Sequence, residues 1–299
     1  MIIDCHSHLT GAAYSAVARK LNKTPFTAAS LLRRMDIDGI DRSVLLPIGN
    51  PENHEVLGIA TNLECLQAYR KHPDRLIPFC NIDPRMMYNT PEADLSELMN
   101  IYRDMGCRGI GEACAGLSIV DPRYRNLFHH AGQCGMPVLF HLTGKRRGTY
   151  GMIDRLHLPG LETVLGEFPD TVFIGHAMAF WGEIDGDLRL ADREDYPEAL
   201  IRKEGRLWTL LKQYPNLYGD LSAGSGYNAI SRDPETGYRF LQTFNRKLFY
   251  GTDRFLSPKD PPPAILTFLK DARRTGRITR RAYENIMFRN VSRVVLKGE

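Results

Sequence analysis

Short apolar runs alternate with longer amphipathic stretches from one end of the chain to the other. Eight runs have the length and nearly continuous apolar character of parallel strands covered on both faces: residues 2–6, 43–48, 76–82, 109–112, 138–142, 171–175, 217–221 and 248–251. Between them apolar positions recur at helical spacing over 53–71, 92–105, 124–134, 161–168, 200–213 and 235–245, and helical stretches at 263–275 and 279–295 close the chain. Pro263 stands at the start of one of these, where the missing N–H does no harm. Strand–helix alternation repeated eight times predicts an α/β fold, either a closed barrel or a doubly wound sheet.

Loop lengths separate those two. Helix-to-strand connections are short and punctuated: HPDR at 72–75, MGCRG at 105–109, QCGMP at 133–137, FPDT at 168–171 and YPN at 214–216. Strand-to-helix connections are long, over 9–26, 143–160, 176–199 and 222–234. Long loops after the C-terminal ends of strands are what the active face of a barrel requires. A doubly wound sheet would carry a Gly-rich phosphate turn after its first strand, where this chain reads HSHLTG. The pattern therefore predicts one distorted (β/α)8 barrel of the TIM type with long βα loops. No linker rich in Pro, Ser or charge divides it, so residues 1–299 read as a single domain.

Composition narrows the function classes. With 43% hydrophobic and 25% charged residues over 299 positions, the chain has an ample core, which excludes disorder and fibre. The net charge of +4 is too mild, without a clustered patch, to expect a nucleic-acid partner. No apolar run approaches the ~18 residues of a membrane span, so no membrane partner is expected. The opening MIIDCHSH lacks the basic and apolar regions of a signal peptide, and the six cysteines form no CxxC, so free thiols in a reducing cytoplasm are expected. A small-molecule substrate and a homodimer, the commonest assembly of a soluble enzyme, complete the expectation.

Metal-binding residue types stand where the runs end. The first ends DCHSH, and a period of two puts Asp4, His6 and His8 on one face with Cys5 and Ser7 pointing away. The fourth ends in Glu112, the fifth in His141 and the sixth in His176, and Asp253 follows the eighth. In a closed barrel these tips converge on one mouth, where imidazoles and carboxylates suit Zn2+ or a similar first-row ion such as Mn2+. Each residue alone is a weak signal; together, on five strand tips, they are a strong one. Elsewhere, His129 and His130 lie in a helical stretch, His72 at the opposite end, and His54 and His157 in loops.

This pattern resembles the amidohydrolase superfamily, in particular its compact "amidohydrolase 2" branch with the relatives of aminocarboxymuconate-semialdehyde decarboxylase. The resemblance rests on HxH in the first strand, His in the fifth and sixth, and the closing Gly251–Thr252–Asp253. It implies His6, His8, His141 and Asp253 as metal ligands and His176 as a ligand or catalytic group. No lysine stands where binuclear members carry a carboxylated one; Glu112 stands there instead, as in TatD-type nucleases. Two variants follow. In one, a single ion is held by His6, His8, His141 and Asp253 while His176 polarises the substrate, and this is the preferred form. In the other, Glu112 bridges two ions and His141 with His176 hold the second. The chemistry implied is hydrolysis of a C–N or C–O bond with Asp253 as general acid/base, with decarboxylation and phosphodiester cleavage as alternatives. Lys145, Arg146 and Arg147 in the fifth loop and Arg254 after Asp253 suit an anionic substrate. Tyr227 is expected to line the mouth, Asp220 or Ser222 to support it, and Phe180 and Trp181 to anchor the sixth loop.

Overall fold

The computed structural model describes residues 1–20, 22, 24–144, 150–255 and 261–298. Its strands are β1 (Ile3–Ser7), β2 (Arg42–Leu45), β3 (Leu76–Pro78), β4 (Ile110–Ala113), β5 (Val138–Thr143), β6 (Met152–Ile153), β7 (Phe173–His176), β8 (Leu217–Asp220) and β9 (Leu248–Phe249). Eight of them fall on the eight apolar runs. The two-residue β6 was not anticipated; it pairs with the end of β5 inside the stretch read as a loop.

All pairs are parallel, in the orders β1-β2-β3 and β4-β5-β7-β8-β9. Backbone hydrogen bonds carry the ring across both gaps. Cys80 N–H donates to Gly109 O at 3.0 Å and Gly111 N–H to Cys80 O at 2.9 Å, joining β3 to β4. Cys5 N–H donates to Tyr250 O at 2.9 Å, Asp253 N–H to His6 O at 2.8 Å and His8 N–H to Arg254 O at 3.0 Å, joining the extension of β9 to β1. Side chains staple the same seam. Thr252 donates to Asp4 through both its N–H, at 2.9 Å, and its hydroxyl, at 2.7 Å.

Alternate strand residues divide into two apolar clusters, as side chains on opposite faces of a strand must. Ile3, Val44, Leu46, Ile77, Phe79, Leu139, Ile174 and Phe249 pack together with Val291, Val295 and Leu296 of the last helical segment. Their neighbours Leu45, Leu76, Val138, Phe140, Phe173, Leu217 and Leu248 pack against the helices. The apolar filling stops at the level of the polar strand tips.

The helices depart from expectation mainly after β1. The segment read as loop 9–26 contains the helix Ala12–Lys20, and Ala28–Asp38 follows it. The first buries only Ser15 and Ala18, too little to leave an apolar period in the sequence. The second was readable from its ends, since Thr27 caps its N-terminus by accepting from Ser30 N–H and Gly39 closes it at φ 72°. The stretch 53–71 is two helices, His54–Leu57 and Asn62–Lys71. Gly58, at φ 64°, ends the first, and a Cβ there would overlap the Tyr14 ring. A Thr61–Glu64 capping box starts the second. The loop 222–234 contains the helix Ala223–Ser231, and the stretch 200–213 shrinks to Arg206–Gln213. Among the described residues no helix is long and apolar enough to cross a membrane.

Candidate metal centre

The predicted ligands converge at the C-terminal ends of the strands, but β1 presents them differently from a regular strand. Its register against β2 shifts between Asp4 and Ser7. Cys5 and His6, consecutive residues, therefore share a side: the Cys5 thiol and His6 Nδ1 both bond Asp220, at 3.1 and 2.6 Å. Asp4 and Ser7 share the other, both bonded to the Ser43 hydroxyl. The expectation that Asp4 faces the mouth with His6 and His8, and that Cys5 turns away, is thus corrected by an irregular register. Asp4 serves the seam instead, and burial raises its pKa to about 6 against the opposing bonds from Thr252 and His6 N–H.

His6 Nε2 and His8 Nε2 stand 3.0 Å apart. Asp253 Oδ1 lies 3.3 Å from each of them, and Asp253 Oδ2 lies 3.7 Å from His176 Nε2. Glu112 faces the same pair from β4, with Oε2 at 3.7 Å from His6 Nε2 and 3.4 Å from His8 Nε2, while its Oε1 is 2.6 Å from His141 Nδ1. His8 Nδ1 donates to Leu46 O at 2.6 Å, since a carbonyl can only accept, and this turns its Nε2 lone pair to the centre. Asn81 steadies β4 by donating to Glu112 O at 2.5 Å. Three non-glycine residues around the centre, Ala177, Ala223 and Asp253, hold positive φ values of 80°, 61° and 53°. Such backbone costs about 1–3 kcal/mol each and persists where surroundings over-determine it.

The charges interlock. Burial alone would depress His6 and His8, but Asp253 and Asp220 hold His6 well above the ordinary imidazole range, and bonds to Asp253 and Glu112 hold His8 at about 9. Burial would likewise raise Glu112, yet His141, His6 and His8 keep it well below the carboxylate range, and the imidazoles of His6, His8 and His176 lower Asp253 against the same opposition. Among the described residues no Lys or Arg pairs with Glu112, Asp220 or Asp253.

Nitrogen and oxygen donors with surplus negative charge fit a divalent first-row ion. Three sets of donor atoms lie within 4.8 Å of one another: His6, His8 and Glu112; Glu112, His141 and His176; and His6, His176 and Asp253. His141 groups with Glu112 and His176, not with His6, His8 and Asp253 as the preferred one-ion form has it. Its Nδ1 lies 2.6 Å from Glu112 Oε1, and Glu112 is common to two of the donor sets.

A cavity of about 310 Å3 opens above these groups, lined by His141, His176, Asp253, Tyr150, Glu194 and Tyr196 among others. Asp253 is 26% exposed, whereas Glu112, His6 and His8 are sealed. The Tyr150 ring lies against His141, tilted by 36° with ring centroids 4.1 Å apart. Glu194 receives the Thr143 hydroxyl at 3.2 Å and bonds Gly144 N–H. Tyr150, Glu194 and Tyr196 carry no sequence signal of their own, because loop paths bring them to the cavity.

Two expected substrate contacts stand elsewhere. Arg254 is buried beside Asp38 at 3.4 Å and donates to Pro261 O at 3.1 Å, so its guanidinium serves the barrel wall. Tyr227 packs on Phe268 from the helix Ala223–Ser231 and does not line the cavity. Lys145, Arg146 and Arg147 lie outside the described residues. Phe180 and Trp181 are buried, and Trp181 donates to Asp220 O at 2.8 Å, which anchors the loop as expected.

The chain is thus a barrel of parallel strands with imidazoles and carboxylates gathered at one mouth, a donor set that could hold a divalent ion. The amidohydrolase family model matches residues 3–275, and the chain belongs to that family. Among solved structures it is similar to an uncharacterized TIM-barrel protein of Bordetella bronchiseptica, at 17% identity and a TM-score of 0.66 over 99% of this chain and 98% of that one. It is similar to 2,6-dihydroxybenzoate decarboxylase from Rhizobium, at 15% identity and 0.62 over 99% of each chain. A probable 2-pyrone-4,6-dicarboxylic acid hydrolase from Acinetobacter baumannii, with citric acid bound, matches at 16% and 0.56 over 96% of this chain and 98% of that one. No curated protein matches the chain.

Proposed function

We propose that the protein is a divalent-metal-dependent hydrolase, with zinc as its ion, acting on a C–N or C–O bond of a small anionic substrate. The observation that carries this reading is the placement of Asp253. One of its oxygens stands 3.3 Å from both His6 and His8 and the other faces His176 at 3.7 Å, while the side chain is open to the cavity. His6, His8 and Glu112 would hold a divalent ion, with Glu112, His141 and His176 offering a second subsite, and the ion would supply a water of pKa about 7 in place of ~15.7 and a Lewis acid for a carbonyl oxygen. Asp253 takes the proton released on attack and returns it to the leaving group, a role worth about 10²–10⁴ in rate. The sealed imidazoles orient and hold; the exposed carboxylate moves the proton. An anionic substrate is supported by the two similar enzymes whose names carry carboxylic acids.

Decarboxylation is the second reading, favoured by the similarity to the Rhizobium decarboxylase. The experiment that separates them strips the protein with a chelator, reloads it with Zn2+, and assays small carboxylated lactones, amides and aromatic acids in ¹⁸O water. Hydrolysis places ¹⁸O in the product and releases no CO2. Released CO2 without ¹⁸O incorporation selects the lyase, and a protein that takes up no stoichiometric zinc defeats both.

A further inference from the structure

Behind the cluster, one carboxylate serves two of its histidines. Asp220 ends β8 with no exposure, and its Oδ2 lies 2.6 Å from His6 Nδ1 and 3.2 Å from His176 Nδ1. Its other contacts are also bonds it accepts: Ser222 N–H at 2.9 Å and the Cys5 thiol at 3.1 Å on Oδ1, and the Ser222 hydroxyl at 2.8 Å on Oδ2. That hydroxyl lies 3.2 and 3.1 Å from the same two ring nitrogens, so the four groups form one closed cluster. A carboxylate accepts only, which makes His6 Nδ1 a donor; His176 Nδ1, 3.2 Å from the same oxygen and 3.1 Å from the Ser222 hydroxyl whose own proton goes to Asp220, is a donor too, and both rings aim Nε2 at the centre. His6 and His176 share one donor set with Asp253 and also belong, one each, to the two sets that meet at Glu112, while Asp220 holds both from behind.

We infer that Asp220 is a positioning residue common to both proposed subsites, fixing the Nδ1–H tautomer of His6 and of His176 at once. The inference rests on the metal-centre reading for its consequence, while the Nδ1-bound protons themselves can be read without any ion. Asp220→Asn preserves shape but not chemistry. With its amide nitrogen in the place of Oδ2 it must donate to Nδ1, which drives the ring proton to Nε2 and blocks the ligand position. Turned the other way, the amide nitrogen meets Ser222 N–H, donor against donor.

The test uses full-length protein with ¹⁵N-labelled histidine, without metal and then titrated with Zn2+. Wild type shows Nδ1-bound protons on both rings, shifted downfield by the carboxylate. In D220N those resonances disappear and zinc affinity falls about 10–100-fold, with the backbone amide spectrum retained. S222A, which leaves the carboxylate in place, keeps both resonances; their loss there would move the role to the hydroxyl and overturn the assignment. Unchanged tautomers or unchanged zinc affinity in D220N would overturn it as well. Should D220N not fold, wild type alone decides, since a ring lacking an Nδ1-bound proton excludes the proposed geometry. Wild type with the expected tautomers but no zinc uptake sinks the metal reading and leaves the tautomer assignment standing.

Discussion

The two ends of the barrel interior follow opposite rules. Toward the floor, Ile3, Val44, Ile77, Leu139, Ile174 and Phe249 fill the bore with aliphatic and aromatic groups that need no partner. At the mouth, His141 and His176, two residues beyond Leu139 and Ile174 on the same strands, and Glu112 and Asp220 beside them stand buried or nearly so and compensate each other's charge. Non-glycine residues with positive φ flank His176, Ser222 and Thr252. The floor supplies stability that the mouth draws on, and the same strands do both because side-chain direction alternates while depth along the strand changes.

If that division holds, substitutions at the two ends should act on different observables. The largest effect is expected at Asp253. Asp253→Asn should lower kcat by about 10²–10⁴ with metal content falling only partly, measured by turnover and by metal analysis of the same preparation. Unchanged turnover would remove Asp253 from the proton transfer. Next, Ile77→Ala in the bore should cost about 2–5 kcal/mol of unfolding free energy, equally with and without zinc, as read from denaturant titrations. A loss confined to the zinc-loaded form would erase the distinction between floor and mouth.

Third is pH. His8 stands at about 9 in the metal-free fold against an ordinary 6.5. Its protonated form is the one the fold favours, so its contribution to metal-free stability is complete below pH 6.5 and lost as pH rises through 9. Ion capture needs the neutral ring, so zinc affinity should rise over the same interval, about tenfold per pH unit for each proton displaced. Calorimetry in buffers of different ionisation enthalpy counts those protons, and an affinity flat with pH contradicts the picture. The smallest change belongs to Tyr227→Phe, which keeps the ring against Phe268 and should shift stability by no more than about 0.5 kcal/mol with kcat unaltered.

Much of this was legible before any coordinates. The eight strands announce themselves because a strand covered on both faces is apolar almost throughout, and His6, His8, Glu112, His141, His176 and Asp253 stand out because each interrupts or follows such a run. What stayed hidden has local causes. The sides taken by Asp4 and Cys5 depend on a register shift in β1 that no periodicity encodes. The service of Asp220 to two rings depends on β8 meeting β7 and β1 at one mouth, and the approach of Tyr150, Glu194 and Tyr196 on how loops return across it. The direction of Arg254 was hidden as well, since proximity in sequence to Asp253 does not encode that the next side chain along lies beside Asp38.

The seam between β1 and the extension of β9 has a consequence for biosynthesis. Asp4 and Thr252, which staple it, are separated by 248 positions. A chain still emerging from the ribosome carries His6 and His8 long before it gains Asp253 and the closing strand. Long-range closure of this kind is slow relative to local folding. Until the extension of β9 docks against β1 the sheet stays open and Asp253 does not meet His6 and His8, so the cluster is completed in one late event.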